Sequence, residues 1–339
     1  MTLQERQEQR RSGAETTLPI PLAIYYEHPR WFEPLFAELE RRDVPYLKLH
    51  ADDHRFDPGS RDPETETTLF FNRMSPSAYN RGRGHEIGYT LAYLGHLERL
   101  GRRVINGEKA FRHEISKALQ LSVLHSLGLP FPKTRVIHRP EDAPGAADGL
   151  RYPVVVKPNV GGSGVGIVRF DSPADLKGAA LEGGLDIGPD RVGLVQEFIP
   201  ARDGYITRVE GLGGRYLYAI RVHLSGETFD LCPADICQSD RAAAAAAIGD
   251  ACPVEGPKNG LRVEAAQPPA DVRTAVERIL ETTGIEIGGI EYVIDDRDGQ
   301  LYFYDVNALS NFVADAPHVI GFDPFVNLVD YLLQEASRG

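Results

Sequence analysis

Residues 288–307, GGIEYVIDDRDGQLYFYDVN, constrain the fold of this chain more than any other stretch. Strand-forming residues flank a turn at 296–299 (Asp-Arg-Asp-Gly), a pattern that predicts a β-hairpin. On its second strand Asp305 and Asn307 face the same way, and Glu291 lies opposite them on the first strand. These three oxygen-bearing side chains suit a hard divalent cation such as Mg2+. From the hairpin alone, an edge hairpin with solvated acids is an equally good interpretation.

A glycine-rich loop upstream favours the functional interpretation. An apolar strand ends at Lys157, and the loop that follows contains Gly161, Gly162, Ser163, Gly164 and Gly166 before a strand resumes at 167–170. Glycines let backbone N–H groups approach an anion closely, and the serine hydroxyl adds a donor. The loop is neither a Walker A motif nor a Rossmann fingerprint, because the lysine precedes the glycines and strands flank both sides. We therefore predict a phosphate-binding loop, with a glycine-rich hairpin without ligand as the alternative.

Composition limits the classes of protein to which the chain can belong. With 339 residues it can bury a substantial core and is expected to form two or three lobes. Its 37 basic and 49 acidic residues argue against general binding to nucleic acid or a membrane surface. Three cysteines without a CxxC pair argue against a disulfide framework or zinc site, so a cytoplasmic location is the simplest expectation. The polar residues 1–18 are predicted to be a disordered leader.

The N-terminal segment has the order strand, helix, strand, strand, which predicts a small open α/β lobe with a mostly parallel sheet. Ligands gather at the carboxyl ends of such strands. Arg73 leaves the third strand there and is a candidate contact for an acidic substrate group, with a solvated loop arginine as the alternative. A helix is predicted over 113–127, with Lys117 on its polar side and Leu119, Val123 and Leu127 on its apolar face.

Further candidates follow the glycine-rich loop. The QEFI segment 196–199 ends a predicted strand and suits a hinge whose backbone meets an adenine edge. Arg208 and Arg221 are candidates to clamp a transferring phosphoryl group, although either suits a surface ion pair equally well. Residues 239–261, with six consecutive alanines, are predicted to be a mobile loop or a short lid helix.

In chain order, Lys117, Lys157 with its GGSGVG loop, QEFI, an IEY strand and a YDVN strand resemble the ATP-grasp superfamily. The likeness is to RimK-type glutamate ligases and glutathione synthetases, and it extends from about residue 106 to the C-terminus. It implies an α/β (α+β) grasp fold in which an open parallel lobe (19–107) binds substrate. A two-lobed grasp with antiparallel sheets follows, made of a lid lobe (108–198) and a catalytic lobe (199–339).

The resemblance also implies roles for individual residues. Lys117, Lys157 and the loop 161–166 would contact the phosphates of ATP, and Arg208 would contact phosphate or substrate. The adenine hinge would be Gln196, Glu197, Phe198 and Ile199, and the Mg2+ ligands would be Glu291, Asp305 and Asn307. Where the family has an acid two residues before the arginine, this chain has Ile206, so ribose recognition is expected of Asp203. The family's basic stretch is replaced at 229–237, so the substrate does not follow from glutamate ligation.

The implied reaction joins a carboxylate to an amine, or to a thiol, through an acyl phosphate. Its cofactors would be ATP and Mg2+, with Mn2+ as an alternative metal. The partners would be a small-molecule or peptide carboxylate and an amine, and a homodimer is compatible with the resemblance. Two other hypotheses stay open: an ATP-grasp kinase that phosphorylates a small molecule, and a nucleotide-binding regulatory protein without turnover.

Overall fold

The computed structural model describes residues 20–28, 30–60, 67–162, 164–224 and 262–338. The leader, Ser163, the segment 229–237, the three cysteines and the alanine run lie outside these ranges, so the predictions made for them stay predictions. Within the described ranges the chain forms three β-sheets, one in each of the three expected lobes. None of the described helices is both long enough and apolar enough to cross a membrane.

The N-terminal lobe is a four-stranded parallel sheet with the strand order β2-β1-β3-β4. Its strands are β1 (Leu22–Tyr26), β2 (Tyr46–His50), β3 (Leu69–Arg73) and β4 (Arg103–Ile105), joined through helices α1 (Glu33–Arg41) and α2 (Gly84–Arg99). The inner strands β1 and β3 are almost entirely buried, which accounts for their continuous apolar runs. The predicted open parallel α/β lobe is confirmed.

The helix predicted over 113–127 is in fact two helices, α3 (Glu108–Glu114) and α4 (Lys117–Ser126). Ser116 separates them, and its Oγ accepts the N–H of Leu119 at 3.3 Å as an N-cap. The predicted apolar face is also wrong, because Leu119 is 46% exposed while Gln120 and Leu124 are buried. Gln120 occupies a core position because its amide donates to the carbonyl oxygens of His113 and Val306, a reason that hydrophobic spacing does not reveal.

The second lobe is an antiparallel sheet with the order β5-β8-β6-β7. Its elements are β5 (Thr134–Ile137), α5 (Ala143–Ala146), β6 (Val154–Pro158), β7 (Val168–Phe170), α6 (Pro173–Leu181) and β8 (Gly193–Glu197). Strands β6 and β7 are antiparallel neighbours, with Val154 opposite Phe170. The glycine-rich loop is therefore the connection between two paired strands, as the sequence predicted.

The third lobe is a five-stranded antiparallel sheet with the order β11-β10-β9-β12-β13. Its elements are β9 (Tyr205–Leu212), β10 (Arg215–His223), β11 (Val263–Ala266), α7 (Ala270–Thr283), β12 (Ile287–Ile294), β13 (Leu301–Asn307), α8 (Ala316–Ile320) and α9 (Pro324–Ala336). Helix α7 buries one apolar face against this sheet. Asp323 caps α9 by accepting the N–H of Phe325 at 2.9 Å. Each sheet falls inside one predicted domain, but the boundaries themselves stay predictions.

Candidate active site

A cavity of about 720 Å³ has walls from all three lobes. It brings together residues that are far apart in the sequence, and most of the predicted site residues line it. They are Lys117, Lys157, Gly161, Gly162, Gly164, Gln196, Glu197, Phe198, Ile199, Arg208, Glu291, Asp305 and Asn307.

The hairpin formed by β12 and β13 supplies one wall. Glu291 lies directly opposite Asp305, and Asn307 follows on the same face of β13, which is the register expected from the sequence. A bulge next to Glu291 leaves Tyr304 without a register partner, and its hydroxyl donates to Glu291 Oε2 at 2.7 Å. Carboxylate and amide oxygens thus converge on one part of the cavity wall.

Lys117, the first residue of α4, reaches this hairpin. Its Nζ donates to Asp305 Oδ1 at 2.8 Å, and Asn307 Nδ2 donates to Asp305 Oδ2 at 3.1 Å. Burial opposes ionisation of Asp305, but the ammonium of Lys117 outweighs it and holds the pKa of the carboxyl below its usual value. Burial likewise lowers the pKa of Lys117, but Asp305 raises it above its usual value. The two side chains therefore form a charged pair at neutral pH.

Lys157, at the end of β6, is different because none of the described residues forms an ion pair with it. The residue is only 6% exposed, and its side chain makes no hydrogen bond within the described ranges. Burial, and then the nearby ammonium of Lys117, lower the pKa of Lys157 to about 8. A buried ammonium without a partner is costly. Its position in the cavity wall is that of a group prepared to receive an anion.

Arg208 lies between two buried carboxylates. Its Nε donates to Glu210 Oε1 at 2.6 Å and its Nη1 to Glu291 Oε1 at 2.9 Å. Burial works against the charge, but the two carboxylates raise the pKa of Arg208 above its usual value. Burial raises the pKa of Glu291 despite Arg208. Glu210 was not among the predicted site residues, although it lies two residues from Arg208 on a strand and so shares its face.

Residues 196–199 line the cavity beside the four-stranded antiparallel sheet of the second lobe, which we call the lid sheet. Gln196 Nε2 donates to Thr134 Oγ1 at 2.8 Å, and the guanidinium of Arg169 stacks on the ring of Phe198 at 4.7 Å. Val155, Ile167 and Val168 add apolar surface to this end of the cavity. An apolar slot edged by the backbone of a strand suits a flat heterocycle.

The glycine-rich loop lies against the N-terminal lobe. Gly164 and Gly166 have φ of +69° and +78°, values that glycine adopts without strain. A Cβ on Gly162 would lie 3.0 Å from the Cβ of Ser77, in a 3-10 helix (Pro76–Arg81), and Asn80 Nδ2 donates to Gly162 O at 3.3 Å. The loop therefore has little room for side chains here. Gly166 packs on Pro158 and does not line the cavity.

Two predicted residues lie away from the cavity. Arg221 is in register with Thr207, whereas Arg208 is in register with Ile220, so the two arginines face opposite sides of the sheet. A bulge between Tyr216 and Tyr218 shifts the register by one and causes this reversal. Arg221 instead lies near Glu264 and stacks on Tyr205, so its position does not support a phosphoryl contact.

Asp203, which was predicted to contact the ribose, is the second predicted residue that lies away from the cavity. It is an exposed residue with φ of +60° in the turn before β9, and it is not among the cavity-lining residues. Its position likewise gives the ribose prediction no support.

Arg73 lies behind the cavity wall, at the end of β3. Its residue is 2% exposed, and its Nη2 donates to Ser310 O and, at 2.9 Å, to Asn311 Oδ1. The rings of Phe32 and Phe71 pack on the guanidinium at 4.9 and 5.1 Å. Ser310 and Asn311 line the cavity and Arg73 does not, so the structure gives it a wall-supporting position. The alternative of a solvated loop arginine is wrong.

Several cavity residues had no signal in the sequence. Trp31 and Ser77 bring the N-terminal lobe to the cavity, and Glu114 enters it from the end of α3. Ser75, which also lines it, belongs to the loop after β3 where the sequence predicted a substrate contact. Glu114 accepts the N–H of Ala308, and burial, with a smaller contribution from Asp305, raises its pKa to about 7. These residues are isolated in sequence, and only the packing of lobes brings them to the cavity.

The hairpin fits a hard metal ion by the chemistry of its donors. Glu291 and Asp305 supply carboxylate oxygens and Asn307 a carboxamide oxygen, which Mg2+ prefers. Within the described ranges no three His, Cys, Asp or Glu side chains form a metal-binding group, so Asn307 would be needed to complete this one. Every carboxylate oxygen of the pair is already hydrogen-bonded, but each retains a second lone pair.

No protein-family model matches the chain. Its sequence is similar to D-alanine–D-alanine ligases, with 34% identity over 116 residues to that of Geobacter sulfurreducens and 32% over 130 residues to that of Ralstonia nicotianae. These matches cover 34% and 38% of this chain, and 35% and 38% of the relatives. The chain therefore spans just over a third of the length of the curated relatives it matches.

Solved structures match almost the whole chain. The ATP-grasp ligase PsnB, solved with a minimal precursor, has a TM-score of 0.65 at 17% identity and covers 93% of this chain and 99% of its own. A RimK-domain ATP-grasp protein from Sphaerobacter thermophilus has a TM-score of 0.62 at 18% identity, covering 92% and 99%. D-cycloserine synthetase DcsG has a TM-score of 0.62 at 16% identity, covering 93% and 99%. The fold is therefore that of ATP-grasp proteins.

Proposed function

We propose that this protein is an ATP-dependent ligase that joins a carboxylate to an amine through an acyl phosphate. The observation that carries the proposal is the pairing of two lysines, one of them without an anion, with a carboxylate–carboxamide set across the same cavity. Phosphate groups would satisfy the lysines, and Mg2+ would satisfy the hairpin oxygens. Together these groups suit a nucleoside triphosphate better than any other common ligand.

Each wall of the cavity has a part in the proposed reaction. The slot beside Phe198 would hold the adenine, and the backbone N–H groups of the glycine-rich loop would hold the phosphates. Lys117, Lys157 and Arg208 would stabilise charge on the transferring phosphoryl group. Glu291, Asp305 and Asn307 would hold Mg2+, which supplies charge neutralisation at the phosphate oxygens when bound.

The chain's own residues would mainly position the reactants. An oxygen of the substrate carboxylate attacks the γ-phosphorus, the bond to the β-phosphate oxygen breaks, and ADP leaves. The amine then attacks the acyl carbon, phosphate leaves with the former carboxylate oxygen, and the amine loses a proton. Exclusion of water by the cavity walls would protect the acyl phosphate. The wall formed by Trp31, Ser75 and Ser77 is where we place the substrates.

The relatives suggest which substrates to test. The names of the sequence relatives point to D-alanine, and the PsnB structures contain a precursor peptide. We therefore propose small amino acids and acidic peptides as the first panel, with Mg2+ and with Mn2+. A homodimer is compatible with the proposal and is tested separately by light scattering.

The decisive experiment follows the oxygen atoms. A substrate acid labelled with 18O in its carboxylate is incubated with ATP, Mg2+ and an amine, and the phosphate released is analysed by mass spectrometry. A ligase that forms an acyl phosphate transfers one labelled oxygen to each phosphate. Hydroxylamine in place of the amine should trap the same intermediate as a hydroxamate.

Two results would contradict the proposal. Stable phosphorylation of the substrate without an amine would indicate a kinase. ATP binding without release of ADP across the whole panel, unchanged in Asp305→Ala, would indicate a nucleotide-binding protein without turnover. Arg221→Ala is a matched control, because it removes an arginine of the same sheet that lies away from the cavity.

A further inference from the structure

Asn159, two residues after Lys157, connects the backbone segments that carry Lys117 and Lys157. Its side-chain Oδ1 accepts the N–H of Ala118 at 2.9 Å and the hydroxyl of Ser116 at 3.2 Å. Its backbone oxygen accepts the N–H of Lys117 at 3.4 Å. Asn159 is 6% exposed. One residue of the lid sheet thus contacts three consecutive residues at the start of α4.

These contacts complete the N-terminal cap of α4. The first N–H groups of a helix have no partner within the helix. Ser116 Oγ takes the N–H of Leu119, and Asn159 takes those of Lys117 and Ala118. A local cap satisfies one of these groups, and Asn159, which lies 41 residues after Ala118 in the sequence, satisfies the other two. The start of α4 is therefore fixed to the strand end that carries Lys157.

The far side of the Asn159 amide is fixed as well. Its Nδ2 donates to Asp190 Oδ2 at 2.7 Å, while Asp190 Oδ1 accepts the N–H of Val192 at 3.2 Å. The backbone N–H of Asn159 also donates to Val192 O at 2.9 Å. The carboxamide accepts through its oxygen and donates through its nitrogen. An ionised aspartate has no donor, and a hydroxyl is a single atom that does not reach both sides, so neither makes the same set.

We infer that Asn159 is a positioning residue that holds Lys117 and Lys157 in fixed relation to each other and to Asp305. The inference deepens the proposed function and rests on it for the role of the lysines as phosphate ligands. Without the Asn159 amide the first turn of α4 loses the hydrogen bonds from Ser116 and Ala118, and the backbone hydrogen bond from Lys117 remains. The backbone position from which Lys117 reaches Asp305 is then held less firmly. The amide acts through the lysines and does not itself touch the reacting atoms.

The test measures the reactivity of individual lysines in the absence of nucleotide. The protein is treated briefly with an amine-acylating reagent, and the labelling rate of each lysine is obtained by peptide mass spectrometry. In Asn159→Ala we expect Lys117 to label about tenfold faster than in the wild type, since both side-chain hydrogen bonds to the start of α4 are lost. The exposed Lys177 should label at an unchanged rate and serves as the internal control.

A matched pair of variants separates positioning from general loosening. Asn159→Asp should speed the labelling of Lys117, because the new carboxylate faces Asp190. Adding Asp190→Asn should restore the slow rate. The amide donor is then on residue 190 and the acceptor on residue 159, so the hydrogen bond between these two side chains returns together with those to the start of α4. Thermal melting of each variant reports global stability.

Three outcomes decide the question. Selective acceleration of Lys117 with rescue by the exchanged pair supports the inference. An unchanged rate for Lys117 in a folded Asn159→Ala overturns it, and so does equal acceleration of all lysines. A separate arm adds ATP and Mg2+ to the wild type, which should protect both cavity lysines. Failure of that arm alone would count against the proposed nucleotide site and not against the positioning.

Discussion

Arg208 offers the sharpest test of the electrostatics of the cavity. It is 8% exposed and contacts Glu210 at 2.6 Å and Glu291 at 2.9 Å, so Arg208→Met leaves two buried carboxylates without their cation. With an effective dielectric constant of about 20, each contact represents about 6 kcal/mol of attraction that offsets desolvation. Breaking a buried pair on one side typically costs about 3 to 5 kcal/mol, and we expect a loss of this size in the free energy of unfolding at about pH 8.

The sign of the pH dependence follows from burial. Burial already raises the pKa of Glu291, and without Arg208 it rises further. The folded variant then binds more protons than its unfolded chain. Its loss of unfolding free energy relative to the wild type should therefore be largest above the raised pKa of Glu291 and become smaller as the pH falls through that pKa. Urea unfolding of wild type and variant at about pH 8 and about pH 5.5 measures this, and we expect the difference to fall by roughly half.

Control variants make this result interpretable. Arg208→Met combined with Glu210→Gln and Glu291→Gln should recover much of the lost stability, because no uncompensated charge remains. A loss below about 1 kcal/mol, or one that is the same at both pH values, would refute the description of Arg208 as the buried partner of two carboxylates.

Two further predictions concern the other cationic residues. Lys157→Met should weaken ATP binding by on the order of a hundredfold, with no loss of thermal stability because no described residue pairs with the ammonium. The pKa of Lys157, about 8, predicts that kcat/KM for ATP falls as the pH rises through that value, whereas Lys157→Arg should remove this limb of the pH profile. Arg221→Ala should leave ATP affinity within about twofold of the wild type, measured by calorimetry, since surface substitutions away from a site are nearly neutral.

The parts of the site that the sequence predicted are those with a short-range rule behind them. A period of two along a strand and a recognisable turn are enough to place Glu291 opposite Asp305. Glycines between two strands are enough to predict an anion-binding loop. The parallel N-terminal sheet follows from its order of strands and helix. For the hairpin and the glycine-rich loop the information lies within about twenty residues of chain, and for the parallel sheet it lies in the order of neighbouring elements.

The errors have long-range or one-residue causes. A single bulge in β10 turned Arg221 to the other face of the sheet, and a bulge leaves no clear mark in the sequence. The division of α3 from α4 depends on Ser116 acting as a cap in place of a helical residue. Arg73 became a buried support because Ser310 and Asn311, from another lobe, meet it. The packing of one lobe against another determines such positions, and the hydrophobic periodicity of the sequence contains no information about that packing.

The pairing of charges in the cavity predicts that ATP and Mg2+ bind cooperatively. Lys117 is held by Asp305, and Arg208 by Glu291, so two proposed phosphate ligands are occupied by two proposed metal ligands. To bind, ATP alone must separate both ion pairs, and its negative charge then lies near two carboxylates that have lost their cations. With Mg2+ present, the phosphates become the partners of the two cations and the metal becomes the partner of the two carboxylates. In Asp305→Asn the ammonium is free, so we expect ATP in EDTA to bind about tenfold tighter than to the wild type and ATP with Mg2+ about tenfold weaker, a reversal measurable by calorimetry. Weakening under both conditions would contradict this exchange of partners, and it would assign Asp305 a role in the fold of the cavity alone.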